Sequence, residues 1–135
     1  MSDENVDVVR RQFEATNAGD FARAMSYYAD DVVLVVDRDA FLESGTFEGR
    51  EAVGAWFGDW ISTFETHRLE IEDARDLGHV VFLSATISGR GRTSGAQVRG
   101  RTGYLYTVTK GKIVRVELHR SPEAALDAAR ESAGK

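Results

Sequence analysis

Three β-rich runs follow one another between His79 and Arg120, and they constrain the fold more than any other feature of the chain. They are His79–Ser88, Val98–Val108 and Lys112–His119, each rich in β-branched and aromatic residues and separated by turn residues. Short links make successive strands antiparallel neighbours. A sheet at this end of the chain is therefore the platform for the rest.

Parity assigns the faces, because alternate residues of a strand point to opposite sides. In the last run Val114, Val116 and Leu118 oppose Arg115, Glu117 and His119; in the middle run Tyr104, Tyr106 and Val108 oppose Arg99, Arg101 and Thr107. A two-residue Lys110-Gly111 loop would pair Tyr106 with Arg115 and mix the faces. A three-residue Thr109-Lys110-Gly111 loop pairs Tyr106 with Val114 and Tyr104 with Val116, and places Gly111 at a left-handed bulge position, so this register is the expectation. In the first run Val81, Leu83, Ala85 and Ile87 best continue the apolar face. A one-residue bulge would turn Ser84 and Thr86 inward instead, and the pattern leaves both arrangements open.

Upstream, residues 3 to 18 predict a helix with Val6, Val9 and Phe13 as its buried stripe and Gly19 as its stop. Asp20 caps a second helix, in which Phe21, Ala24, Met25 and Tyr28 recur at helical spacing until Asp30-Asp31. Val32–Val36 is a short strand, apolar on both faces, that delivers Asp37, Arg38 and Asp39 to its end. Phe41 to Glu48 carries turn residues and a brief strand at Thr46–Glu48. From Arg50 to Phe64 the helical signal is strongest: Val53, Trp56, Phe57, Trp60, Ile61 and Phe64 form one stripe, from which Gly54 and Gly58 are excluded without evident reason. Residues 67 to 77 read as a solvent-edged strand, and Ser121-Pro122-Glu123 starts a C-terminal helix.

With 135 residues, 42% of them hydrophobic and 29% charged, one domain over residues 1–135 buries a sufficient core. Cysteine is absent, so there is no disulfide framework or thiol chemistry, and the acidic N-terminus and lack of long apolar runs predict a cytoplasmic protein without membrane segments. A net charge of -5 argues against nucleic-acid binding, although Arg90, Arg92, Arg99 and Arg101 form a basic island, read first as a solvated hairpin and otherwise as a carboxylate-neutralising group. His67, His79 and His119 lack metal-ligand spacing, so no metal and no cofactor is assigned.

Asn17-Ala-Gly-Asp20, Tyr28-Ala-Asp-Asp31, Gly45-Thr-Phe-Glu-Gly-Arg-Glu-Ala-Val53, the Gly89–Gly95 loop, Gly111-Lys-Ile-Val-Arg115 and Ser121-Pro-Glu-Ala-Ala-Leu126 together resemble the SnoaL-like branch of the NTF2-like superfamily. The resemblance implies an α+β cone: three N-terminal helices against a strongly curved, mostly antiparallel sheet, with a short C-terminal helix. It also implies an apolar pocket for a small hydrophobic molecule and a homodimer through the outer sheet face, where Arg99, Arg101, Arg115, Glu117 and His119 would meet a second copy. Ketosteroid isomerase, of the same superfamily, has a tyrosine on the first helix where this chain has Gln12, a base where it has Val36, and a second acid near Tyr104. That constellation is missing, so steroid isomerisation is not implied.

The expected pocket is bounded by Phe13, Tyr28, Trp56, Trp60, Tyr104, Val116 and Leu118, where helix stripes and sheet face converge. Trp56 and Trp60, on one helix face, read as core before ligand clamp, and a core position in this fold can also be a pocket wall. Two function classes follow. In one, Asp37 is a base and Tyr104 a hydrogen-bond donor for proton transfer on a carbonyl or polyketide-like compound, of isomerase, cyclase or hydratase type. In the other, the same pocket binds without chemistry, and Asp37 belongs to a polar turn in water.

Overall fold

The computed structural model describes residues 2–37 and 44–133, so Arg38, Asp39 and Phe41 lie outside the described residues. The elements run α1 (Ser2–Asn17), α2 (Phe21–Ser26), β1 (Tyr28–Val36), β2 (Gly45–Glu48), α3 (Arg50–Ser62), β3 (Phe64–Asp76), β4 (Val81–Gly91), β5 (Gln97–Thr109), β6 (Lys112–His119) and α4 (Pro122–Ala133). Six strands form one sheet in the order β2-β1-β6-β5-β4-β3, antiparallel throughout except where β1 runs parallel to β6. The α+β architecture is as expected, and α3 follows β1 and β2 as the order of sequence segments predicts, so two helices rather than three precede the first strand.

The helical hairpin forms for the reasons visible in the sequence. Val9 and Phe13 are buried, Gly19 turns the chain at a φ of 78°, and the Asp20 carboxylate accepts from the Arg23 N–H at the start of α2. Asn17 then ties α1 to the sheet edge: its Nδ2 donates to the Leu69 carbonyl at 2.7 Å, and the Leu69 N–H donates to its Oδ1 at 2.8 Å. These bonds occupy backbone groups that an edge strand would otherwise offer to another chain.

Tyr28 is the first residue of β1, not the last of α2, because the Tyr27 N–H closes back onto Ala24 and Met25 and the Tyr27 carbonyl accepts from Ile113 N–H. Likewise Phe64 opens β3 after the helix ends at Thr63, though its ring still meets Trp60 edge-on. His79 lies before β4, where its Nε2 is 3.2 Å from the Ala129 carbonyl. Gly54 and Gly58 now have a reason. A Cβ at Gly54 would stand 3.2 Å from the Met25 terminal methyl carbon and one at Gly58 3.8 Å from the Phe21 ring, so the glycine side of α3 receives α2.

The β5–β6 hairpin corrects the expected register. Its loop is the two-residue Lys110-Gly111 turn, with φ of 52° and 78°, and the slip occurs later: Thr107 pairs with Arg115 but Val108 with Ile113, skipping Val114. Tyr106 therefore pairs with Val116 and Tyr104 with Leu118, and Ile113 replaces Val114 on the inner face. The bulge keeps the faces unmixed despite the short turn. In β4, Val81, Leu83, Ala85 and Ile87 do face the main core, while Ser84 and Thr86 lie on the outer face, where Ser84 Oγ donates to Glu72 Oε1 at 3.3 Å.

The sheet separates two apolar clusters. The larger, on the concave face, is closed by α1, α2 and α3; the smaller, on the convex face, joins Phe82 and Leu105 to Ala125 and Ala129 of α4. Gly103 permits this second contact, since a Cβ there would stand 2.5 Å from the Ser121 carbonyl oxygen and 2.8 Å from the Ala125 Cβ.

Candidate functional site

On the concave side, α1, α2 and α3 leave a cavity against the sheet. Its floor is Tyr104 and Tyr106 of β5, with Tyr28 of β1 and Leu69 of β3; α1 contributes Gln12, Phe13 and Thr16. Phe21, Met25, Phe57, Trp60 and Ile61 close the top. The space open to the centre of a water molecule is about 20 Å³, room for about one water, within an envelope of about 410 Å³ that includes the mouth. A wider groove of about 280 Å³ adjoins it, lined by Thr16, Gly19, Phe21, Gly58, Ile61 and His67. Phe21, 37% exposed, lines both spaces, as do Thr16 and Ile61, so these three side chains stand between groove and cavity.

The tyrosines form one cluster. Tyr104 and Tyr106 stack at 5.8 Å between centroids, and the Phe13 ring meets both edge-on at 5.5 and 6.5 Å; Tyr28 stacks on Phe57 at 6.3 Å. Loss of water pushes all three phenols above their ordinary value. Burial acts first in each: Tyr104 is pushed up to about 12, with the Thr102 hydroxyl beside it pulling the other way, while at Tyr28 and Tyr106 neighbouring phenols add their repulsion to burial. At neutral pH the cavity floor thus presents neutral hydroxyls, able to donate.

Of the residues expected at a pocket, Phe13, Tyr28, Trp60 and Tyr104 line this cavity, whereas Trp56, Val116 and Leu118 are packed in the core around it. Trp56 contacts Phe47, Phe57 and Trp60; Val116 and Leu118 lie beside Tyr106 and Tyr104, whose longer side chains cover the floor. Asp37 is not brought to the cavity. Val32, Leu34 and Val36 point into the core, so parity turns the next residue to the convex side. There its carboxylate stands 3.8 Å from His119 Nδ1 and 3.7 Å from Arg120 Nη1. The adjacent Glu117 is held below the usual carboxylate range, first by its hydrogen bond with His119 at 3.3 Å and further by Arg115, against partial burial.

Two polar cavity residues, Gln12 and Thr16, lie outside the expected pocket, Gln12 having entered only as the position that holds a tyrosine in ketosteroid isomerase. Their signal is positional: with Val9 and Phe13 they complete an i, i+3, i+4, i+7 stripe, so two polar side chains sit on the buried face of α1. No Asp, Glu, His, Lys or Arg lines the cavity among the described residues, and no group of three or more His, Asp or Glu there is placed to hold a metal ion.

A curved sheet closed by three helices, with the cavity on its concave face, defines an NTF2-like α+β protein. The model of the SnoaL-like domain matches residues 9–116, and the chain belongs to that family. A SnoaL-like polyketide cyclase structure from Jannaschia sp. CCS1 is similar at 18% identity, covering 94% of this chain and 92% of that one, with a TM-score of 0.77. TerC co-crystallised with polyporic acid is similar at 17% identity over 92% and 96% of the two chains, with a TM-score of 0.74. A protein of ketosteroid isomerase-like fold from Catenulispora acidiphila, in complex with trimethylamine, is 18% identical over 89% of each chain, with a TM-score of 0.72. At these identities the likeness carries the fold alone. No curated protein matches in sequence.

Proposed function

We propose that this chain binds a small, largely apolar molecule carrying a polar end, admitted to the tyrosine-floored cavity when Phe21 and its neighbours turn aside. The observation that carries this reading is the lining: aromatic and aliphatic walls with three neutral phenols, the Thr16 hydroxyl and the Gln12 amide, without an ionised group among the described residues. Such a lining favours a neutral ligand and penalises a charged one, which would lose its hydration without a counter-ion. Similar structures hold small molecules, polyporic acid in one and trimethylamine in another, which supports a ligand role for the same scaffold here.

Proton transfer on a carbonyl or polyketide-like compound is the second reading, supported by Tyr104 at the floor and by a neighbour named a polyketide cyclase. Tyr104 would donate to the carbonyl. It ranks below simple binding because a base is needed as well, and Asp37 faces the convex side. A thermal-shift screen of neutral aromatic ketones and phenols tests the binding reading, with hydroxy-acids, charged at neutral pH, expected to bind less well. A ligand at a hundred times its Kd stabilises by about 2.7 kcal/mol, and Phe21→Ala is expected to speed its entry. Failure of every compound to stabilise either protein would remove the reading.

The homodimer through the outer face is proposed in a narrower form. α4 covers Phe82 and Leu105, which leaves the β1–β6 half, with half-buried Val33 and Val35 beside Arg115, Glu117 and His119. Arg115 and His119 already pair with Glu117 inside the chain, so the apolar pair would drive association. Sedimentation at micromolar concentration is expected to show a dimer that Val35→Glu converts to monomer; a wild-type monomer would end the proposal.

A further inference from the structure

Gln12 is buried, 8% exposed, and its amide is held in one orientation by a local circuit. The Thr16 hydroxyl donates to the Gln12 main-chain carbonyl at 3.0 Å, and Gln12 Nε2 donates to Thr16 Oγ1 at 3.0 Å. A threonine hydroxyl has one proton. With that proton on the carbonyl, Thr16 can only accept from the side chain of Gln12, so the amide nitrogen must face Thr16 and Oε1 must face away. Oε1 is buried and has no partner among the described residues. Its residue lines the cavity, where Tyr28, Tyr104 and Tyr106 bring hydroxyls that can donate.

Resting on the ligand-binding reading above, we infer that Gln12 is a specificity residue: its pinned Oε1 selects ligands that present a hydrogen-bond donor, a hydroxyl, phenol or N–H, over otherwise identical ligands that present only an acceptor. The chain keeps a buried acceptor without a protein partner at the wall of its cavity, on a helix stripe where an apolar side chain would pack. A buried acceptor left empty is unfavourable, and it rejects a ligand that cannot fill it more strongly than it attracts one that can. The tyrosine hydroxyls cannot supply this discrimination, because a hydroxyl accommodates either partner by rotating. The carboxamide, fixed by Thr16, cannot rotate without breaking its bond.

The test uses a matched pair of probes, 2-naphthol and 2-methoxynaphthalene, titrated by calorimetry into the wild-type chain and into Gln12→Met. Methionine keeps the length of the side chain and removes its polar atoms, and Thr16 retains its bond to the main chain. The wild type is expected to bind the naphthol about ten- to a hundredfold more tightly than the ether, the value of one hydrogen bond to a buried group. Gln12→Met is expected to bind the two within about threefold of each other, through loss of naphthol affinity while ether affinity holds or rises. Naphthol preference surviving in Gln12→Met, or wild type preferring the ether, would overturn the inference. The first outcome would mean that another group lining the cavity, such as a tyrosine hydroxyl, reads the donor, the second that the amide lies flipped. Ether binding to both proteins reads the cavity independently of Gln12, so absence of binding by either probe to either protein would defeat the ligand-binding reading, and this inference with it.

Discussion

Raising the pH above 10 is expected to unfold this protein steeply, in a transition that coincides with ionisation of its buried phenols. Tyr28, Tyr104 and Tyr106 have folded-state values raised above the ordinary 10.0, first by burial and, for Tyr28 and Tyr106, also by neighbouring phenols, with Tyr104 at about 12. The sign follows from proton counting. Below pH 10 both folded and unfolded chains carry these protons, and the groups give no pH dependence. Above it the unfolded chain releases them while the folded chain retains them, so stability falls with rising pH until the folded phenols ionise. Each retained proton contributes about 1.4 kcal/mol per pH unit, and three together about 4 kcal/mol per unit. A domain stable by about 5–15 kcal/mol then loses its margin within a few units. Tyrosinate absorbance and far-UV circular dichroism should change together, and Tyr106→Phe should reduce the slope by about a third. Gradual ionisation near the ordinary value with the dichroism intact would show that the phenols are hydrated.

These phenols were the most legible part of the site. Tyr104 and Tyr106 share a strand face by parity alone, and Phe13 and Trp60 follow from helical spacing, so sequence period was enough to bring them to the concave side. Tyr28 arrives at the same place from a different element. At i+7 from Phe21 it fits a helix, yet it is the first residue of β1; the helix ends at Tyr27 because backbone closure and pairing with β6 outweigh a stripe only six residues long. The parallel β1–β6 pairing itself was not legible, since it joins segments separated by more than half the chain and leaves no local signature.

The remaining misses have local physical causes. Face parity argues against a two-residue turn, which would mix the faces, but a bulge at Val114 restores them, and a bulge is a backbone event that hydrophobic pattern does not record. Gly54 and Gly58 had no account until α2 was seen lying on them. Asp37 is instructive in the other direction. Once Val32, Leu34 and Val36 are known to face inward, parity alone turns Asp37 outward; the strand had been read as equally apolar on both sides, so that inference was not available. Thr16 is obscured by its type, because a polar residue on a buried stripe reads as an exception, and Gln12 is marked only by the resemblance, as the position of a tyrosine in ketosteroid isomerase.

Phe13→Ala is expected to cost about 4 kcal/mol and, at the same time, to create a site for small apolar guests. The ring is 4% exposed, meets Tyr104 and Tyr106 edge-on and lines the existing cavity, so truncation removes its transfer energy, two aromatic contacts and the wall between the new void and the old one. Large-to-small changes of this kind cost roughly 3–5 kcal/mol, and an apolar void too large to collapse stays dry and accepts ligands such as benzene. Collapse is resisted here because α1 is fixed at its C-terminal end by the two Asn17–Leu69 bonds. Leu105→Ala is the control. Leu105 is 2% exposed but belongs to the convex cluster under α4, so its loss should destabilise by roughly 2–5 kcal/mol without adding to the cavity. Denaturant melts with and without benzene separate the two: benzene should recover part of the stability lost in Phe13→Ala and none of that lost in Leu105→Ala. Equal response of both variants, or a loss below about 1 kcal/mol for Phe13→Ala, would mean that the concave core is organised around a different residue.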